Sequence, residues 1–109
     1  MSTASLAADP APVFAALGDR TRLALIRRLA DGQARSIAVL SAGLELTRQA
    51  VTKHLKVLEE AGLVGSLRVG RETRFAYRPE TAAQAATWLE TVSAQWDVAL
   101  ESLRAHVED

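Results

Sequence analysis

The sequence predicts a mainly α domain carrying one small β-hairpin, and three observations predict it. Residues 48–61 hold an apolar arc at helical spacing, with Thr47 before it and Gly62 after it. Residues 64–77 change to strand-like composition on either side of Gly70-Arg71-Glu72. From Thr81 to about Val107 the helical period returns and runs without interruption.

Taken in order, residues 1–10 are small and polar, end in Asp9-Pro10, and are expected to form a mobile arm. Residues 11–109 are expected to be a single domain, which suits a chain of 109 residues. Pro12 opens a short helix from Val13 to Leu17, since proline fits a first helical turn. Gly18-Asp19 breaks it, and Asp19 caps a second helix, roughly Arg20 to Ala30. There Leu23, Ile26 and Ala30 repeat at three-to-four spacing, and Leu25 and Leu29 widen the stripe. Asp31-Gly32 ends it, and Arg35-Ser36 reads as a short strand. Ile37, Leu40 and Leu44 mark a brief third helix, and Gly43-Leu44-Glu45-Leu46 leads into the fourth. Two helices about a glycine-bearing turn, residues 37–61, make a helix-turn-helix.

Val64, Leu67 and Val69 in one run and Phe75 and Tyr77 in the next give a hairpin over residues 64–78. Pro79 stops its second strand, and Thr81 caps a last helix, 81–107. Ala85, Trp88, Leu89, Val92, Trp96, Ala99, Leu100, Leu103 and Val107 follow the helical period along it.

The fourth helix carries the chemistry. At 100° per residue, Val51, His54, Leu55, Leu58 and Ala61 fall on one side, and Arg48, Gln49, Thr52, Lys53 and Lys56 on the other. Thr47 can accept from a first-turn amide that has no helical partner. Arg, Gln and Lys can reach base edges or phosphates, and Thr allows close approach. They cluster in the first half of the helix, the part that enters a major groove. Glu59 and Glu60 lie in the second half, where Lys56 can pair with them or meet a phosphate. His54 falls within the apolar arc and is expected to be partly buried and bonded to backbone, with a phosphate contact as the other reading.

The formal net charge of zero hides an uneven distribution. Residues 1–46 carry +1, residues 47–79 carry +4 and residues 80–109 carry −5. A basic middle suits a polyanion, and the acidic end is expected to point away from it. Arg68, Arg71 and Arg74 surround the hairpin tip, where arginine can lie along a backbone or enter a narrow minor groove. Glu72 is unfavourable there unless it pairs with a neighbouring arginine.

There is no cysteine, no signal-peptide pattern, and no apolar run near the roughly 18 residues that span a membrane. A cytoplasmic protein without membrane partners is expected. No Gly-rich phosphate loop and no nucleophile–base set suggests an enzyme, and no cofactor is called for.

The order of elements is the winged helix-turn-helix plan. Three stretches resemble the ArsR (arsenic repressor-like) family of bacterial transcriptional regulators: FAALGDRTRLALIRRL at 14–29, TRQAVTKHLKVLEEAGLV at 47–64, and RVGRETRFAY at 68–77. The resemblance covers about residues 12–105. It implies a homodimer that binds a palindromic operator in double-stranded DNA and represses, and it implies dimer contacts from the first and last helices. That assigns Val13, Phe14, Leu17, Trp88, Val92, Trp96, Leu100 and Leu103 to the interface, with packing inside one protomer as the other reading of the two tryptophans. Two recognition helices would then sit in successive major grooves roughly 34 Å apart.

Metal-sensing members of that family carry cysteines near the positions of Ser36 and Ala38, and this chain has none. Others use carboxylates and histidines on the last helix. Here Glu90, Asp97, His106 and Glu108 are available, but Asp97 and His106 are about 13.5 Å apart in helix rise, so no metal site is expected and any effector is unknown. The competing function is a winged helix that docks proteins without touching DNA. The cationic first half of the fourth helix opposes it, because docking faces carry apolar anchors there.

Overall fold

The computed structural model describes residues 9–108. Six segments of helix or strand precede a hairpin strand and a long last helix: α1 (Ala11–Leu17), α2 (Arg20–Leu29), β1 (Arg35–Ser36), α3 (Ile37–Ser41), α4 (Arg48–Glu60), β2 (Val64–Val69), β3 (Glu72–Tyr77) and α5 (Pro79–Glu108). Of the expected arm, residues 1–8 lie outside the described residues. Asp9 and Pro10 belong instead to the start of α1: the Asp9 carboxylate accepts from the Ala11 amide, and the Pro10 carbonyl accepts from Val13 and Phe14.

Caps set the boundaries of the middle helices. Asp19 accepts from the Arg22 amide, Ser36 from Val39 and Thr47 from Ala50, each relieving a first-turn donor that has no helical partner. α4 ends in a paired closure: the Gly62 amide reaches the Glu59 carbonyl and the Leu63 amide reaches the Leu58 carbonyl, both at 2.9 Å. This closure needs a left-handed residue, and Gly62 supplies it at φ 81°. A side chain there would also press on the Thr81 hydroxyl.

The core lies where α2, α3, α4 and the base of the hairpin converge. Leu25 and Leu29 of α2, Leu40 of α3, and Val51, Leu55 and Leu58 of α4 are fully buried, closed below by Leu63, Val64 and Phe75. The stripe of α2 therefore differs from the expected one. Leu25 and Leu29 are its centre, Ile26 is half-buried, and Leu23 and Ala30 are exposed. The hydrophobic period fixed the helix but left its rotation open, because five apolar residues in ten fit more than one arc.

The sheet has three strands in the order β1-β3-β2, all antiparallel. The expected short strand at Arg35-Ser36 joins β3, which becomes the central strand, with Arg35 lying opposite Phe75, so the wing is anchored to the loop before α3. The expected cap at Thr81 is corrected: α5 begins two residues earlier, at Pro79. Proline at a first helical position leaves no amide to be satisfied, and Thr81 packs over Gly62 instead.

α5 is only loosely attached. Among its described residues Ala85 is the one buried hydrophobic, and Phe14 of α1 meets Trp88 with ring centroids 5.7 Å apart. Beyond Val92 every described side chain of α5 is exposed. The chain therefore measures 68 × 38 × 21 Å, with a radius of gyration of 18.3 Å, against roughly 13 Å for a compact domain of about 100 residues. Among the described residues no helix is long and apolar enough to cross a membrane.

Candidate nucleic-acid interface

The core arc of α4 decides what its other face can do. With Val51, Leu55 and Leu58 locked inward, Arg48, Gln49, Lys53 and Lys56 point to solvent. Thr47 is exposed at the cap. Thr52 is half-buried, and its hydroxyl donates back to the Arg48 carbonyl at 2.7 Å, so it offers lone pairs outward rather than a proton. The N-terminus of α4 thus presents two cations, an amide and two short hydroxyl side chains on one open face. Unpaired first-turn amides and the positive end of the helix dipole favour an anion there.

Lys56 is not held by Glu59, whose carboxylate accepts from the Ser66 hydroxyl at 2.7 Å. That bond also ties α4 to β2, and it orients the wing. Ser66, Phe75, Arg68 and Thr73 share one face of the hairpin, through the pairs Ser66–Phe75 and Arg68–Thr73. Leu67, Arg74, Val69 and Glu72 share the opposite face. The three wing arginines therefore separate. Arg68 lies on the face that leans toward α4, and Arg71 stands exposed at the tip beside Gly70, whose φ of 64° makes the turn. Arg74 lies on the far face with its Nε and NH2 both 2.9 Å from the Glu72 carboxylate. The conditional pairing of Glu72 expected from sequence is made, and it occupies Arg74.

His54 is half-buried, as expected, but its partners are side chains rather than backbone. Its Nδ1 lies 3.3 Å from a terminal nitrogen of Arg22 and 3.7 Å from the Asp19 carboxylate. Arg22 also donates through Nε to the Ala16 carbonyl at 2.5 Å and through its other terminal nitrogen to Ala15 at 3.4 Å. The hydrogen bond from the Arg22 amide, followed by the nearby His54 ring and Arg22 guanidinium, holds the Asp19 carboxyl below its ordinary value.

A second arginine of α2 does parallel work. Arg28 donates to the carbonyls of Leu40 and Ala42, each at 2.7 Å, and so fixes the end of α3 and the turn that precedes α4. Neither role was legible in sequence, where Arg20, Arg22, Arg27 and Arg28 look alike. Only the position of Arg22, three residues after the Asp19 cap, sets it apart from the others, and that marks it as a first-turn residue, not as a bridge.

The residues expected at a dimer contact divide too. Val13 is 8% exposed and lies with the core residues of the chain. Phe14, Leu17 and Val92 are half-buried. Trp88, Trp96, Leu100 and Leu103 are exposed, Trp96 by 63%.

A family model described as a helix-turn-helix domain matches residues 17–65. The HTH-type transcriptional regulator Rv2034 of Mycobacterium tuberculosis is 39% identical over 78 residues, which are 72% of this chain and 70% of that protein. The structure of an ArsR-like transcriptional regulator from Rhodococcus sp. RHA1 is 38% identical, with a TM-score of 0.77 over 87% of this chain and 89% of that one. The chain belongs to the ArsR-like family. The winged helix-turn-helix from Mycobacterium bovis named Mb0332, described as a homodimeric DNA-binding domain, is similar at 25% identity and a TM-score of 0.65, over 86% of this chain and 85% of that one. This ArsR-like protein is a DNA-binding transcriptional regulator and not an enzyme.

Proposed function

We propose that the chain is a homodimeric repressor that places α4 of each protomer in a major groove of a palindromic operator. One observation carries the reading: Arg48, Gln49, Thr52 and Lys53 share the open face of a helix whose opposite face is locked in the core. Arg48 can fork onto a guanine and Gln49 onto an adenine. Lys53 and Lys56 serve phosphates or base edges farther along the helix. Arg71 at the tip, with Arg68 on the near face of the wing, reaches the adjacent backbone or minor groove. Arg74 contributes little, because Glu72 neutralises it.

The dimer is built from α1 and α5. Phe14 and Leu17 on α1 and Trp88, Val92, Trp96, Leu100 and Leu103 on α5 form one apolar surface. On α5 these residues fall within an arc of about 120° at 100° per residue. A lone protomer leaves this seam in water, and the homodimeric neighbour supports covering it with a second copy. DNA as the ligand puts the place of action in the cytoplasm.

Binding of the full chain to mixed-sequence duplex at two salt concentrations tests the DNA reading. Phosphate contacts make affinity fall steeply as salt rises, whereas a protein-docking winged helix shows no affinity to lose. A footprint on the promoter of its own transcription unit, showing two symmetric half-sites, tests the repressor reading.

A further inference from the structure

We infer that Arg22 is a positioning residue for DNA recognition: it sets the angle of α4 against the surface through which the two protomers meet. The inference rests on the dimeric regulator reading above and adds a residue that touches neither the duplex nor the partner.

Among the described residues the Arg22 guanidinium bonds to both α1 and α4. On one side it takes the carbonyls of Ala15 and Ala16, in the last turn of α1. The Ala15 carbonyl also accepts the Gly18 amide that closes α1, at 3.2 Å, and a helix of seven residues has little stability of its own. α1 in turn carries Phe14 onto Trp88 of α5, so its place fixes the start of the dimer seam. On the other side the same guanidinium reaches His54 Nδ1 at 3.3 Å. His54 sits on α4 between the buried Val51 and Leu58, on the flank of the locked arc.

The planar fork of arginine fixes these directions together, which a flexible ammonium cannot do. Asp19 holds the base of the arrangement by capping α2 at the Arg22 amide. Arg22 is thus a polar connection from α1 to α4. The apolar contacts between these helices resist separation but allow sliding and rotation. Arg48 precedes His54 by six residues, about 9 Å along the helix, so a small rotation at His54 moves the reading side chains off their base edges. In a dimer it also changes the separation of the two reading faces.

The test compares the full-length wild type with Arg22→Gln and Arg22→Lys. The wild-type chain selects its operator from a random duplex library. Each protein is then titrated with that operator, with the same operator lengthened or shortened by one base pair between half-sites, and with mixed-sequence duplex. Thermal unfolding and sedimentation give the folded and dimeric fractions.

The expected result is an Arg22→Gln dimer that binds mixed-sequence duplex within twofold of wild type. It loses tenfold or more on the selected operator and no longer distinguishes the altered spacings. Arg22→Lys keeps the charge but not the fork, and shows the same loss of spacing preference. If Arg22→Gln does not fold, Arg22→Lys is judged by the same criteria.

The imidazole nitrogens provide an independent signature. The contact with Arg22 requires Nδ1 of neutral His54 to accept, which places the proton on Nε2. The chain has two histidines, so the 15N spectrum at pH 8 can be assigned, and Arg22→Gln is expected to shift only the His54 pair.

Operator affinity within twofold of wild type, with spacing preference retained, overturns the inference. So does an equal loss on operator and on mixed duplex, which makes Arg22 a simple phosphate contact. A wild type that enriches no duplex overturns the DNA reading itself, a failure seen before any variant is made.

Discussion

Arg48 and Arg71 are both exposed arginines, yet their truncation is expected to fail in different ways. Arg48 stands in the first turn of α4, whose axis and rotation are fixed by Val51, Leu55 and Leu58. Arg48→Ala should lose about 1–3 kcal/mol of discrimination at one operator position and relax the preference there. Arg71→Ala should weaken binding on all sequences alike and flatten the salt slope by about one. Arg74→Ala should leave that slope close to wild type, because its charge is spent on Glu72. Titrations of the three variants against operator and mixed duplex at several salt concentrations check all of this. Asp19 makes a separate prediction about acid. Its carboxyl sits below the ordinary value of 3.8 in the folded chain, so the unfolded chain takes up the proton first as pH falls. Its stabilising contribution is complete at neutral pH, begins to fall near the ordinary carboxylate value of about 4, and is lost as pH drops through the lower folded value. Asp31, held low chiefly by its bond to Arg35, acts in the same direction. Urea midpoints between pH 7 and pH 3 should fall, and less steeply in Asp19→Asn, which keeps a capping oxygen without the charge. At this scale the identities of the exposed basic residues were readable from sequence. Their partners were not: Glu72 claims Arg74 through a turn, and His54 meets Arg22 from 32 residues away.

α4 is the element whose limits composition marks most clearly, since a hydroxyl cap, a clean apolar arc and a left-handed glycine all agree. Thr47→Ala should cost about 1 kcal/mol by leaving the Ala50 amide unsatisfied. Leu55→Ala, at a fully buried site, should cost about 2–5 kcal/mol through lost burial and a cavity. Val57→Ala, on the exposed side, should cost far less. Chemical denaturation of the three variants ranks them, and a Leu55→Ala no worse than Val57→Ala would contradict the placement of the arc. α2 was less legible. Leu23, Leu25, Ile26 and Leu29 permit two rotations, and contact with α4 chose the one that buries Leu25 and Leu29. The start of α5 was displaced for a related reason. Thr81 has the chemistry of a cap, but the Arg78 amide bonds to the Leu63 carbonyl and hands the chain to Pro79 as the first helical residue.

At the scale of the whole molecule the chain is extended, 68 Å in its longest dimension. A 30-residue helix spans about 45 Å, and every described side chain in its second half is exposed. On the proposed dimer, Trp96→Asp should leave the thermal stability of the α2–α4 core nearly intact while converting the dimer to a monomer and lowering operator affinity at least tenfold. Sedimentation of the variant decides the point, and an unchanged dimer removes Trp96 from the interface. Hydrophobic period, caps and glycines by themselves determined the order of helices and hairpin, the buried arc of α4 and its cationic outer face. These are local properties, fixed by neighbours within a turn or a strand. Tertiary structure alone decided that Arg74 turns away from α4, that Val13 lies with the core residues, that β1 braces the wing, and that Arg22 joins α1 to α4. Each depends on contacts between segments distant in the chain, and no pattern of period or composition records which side chain will find which.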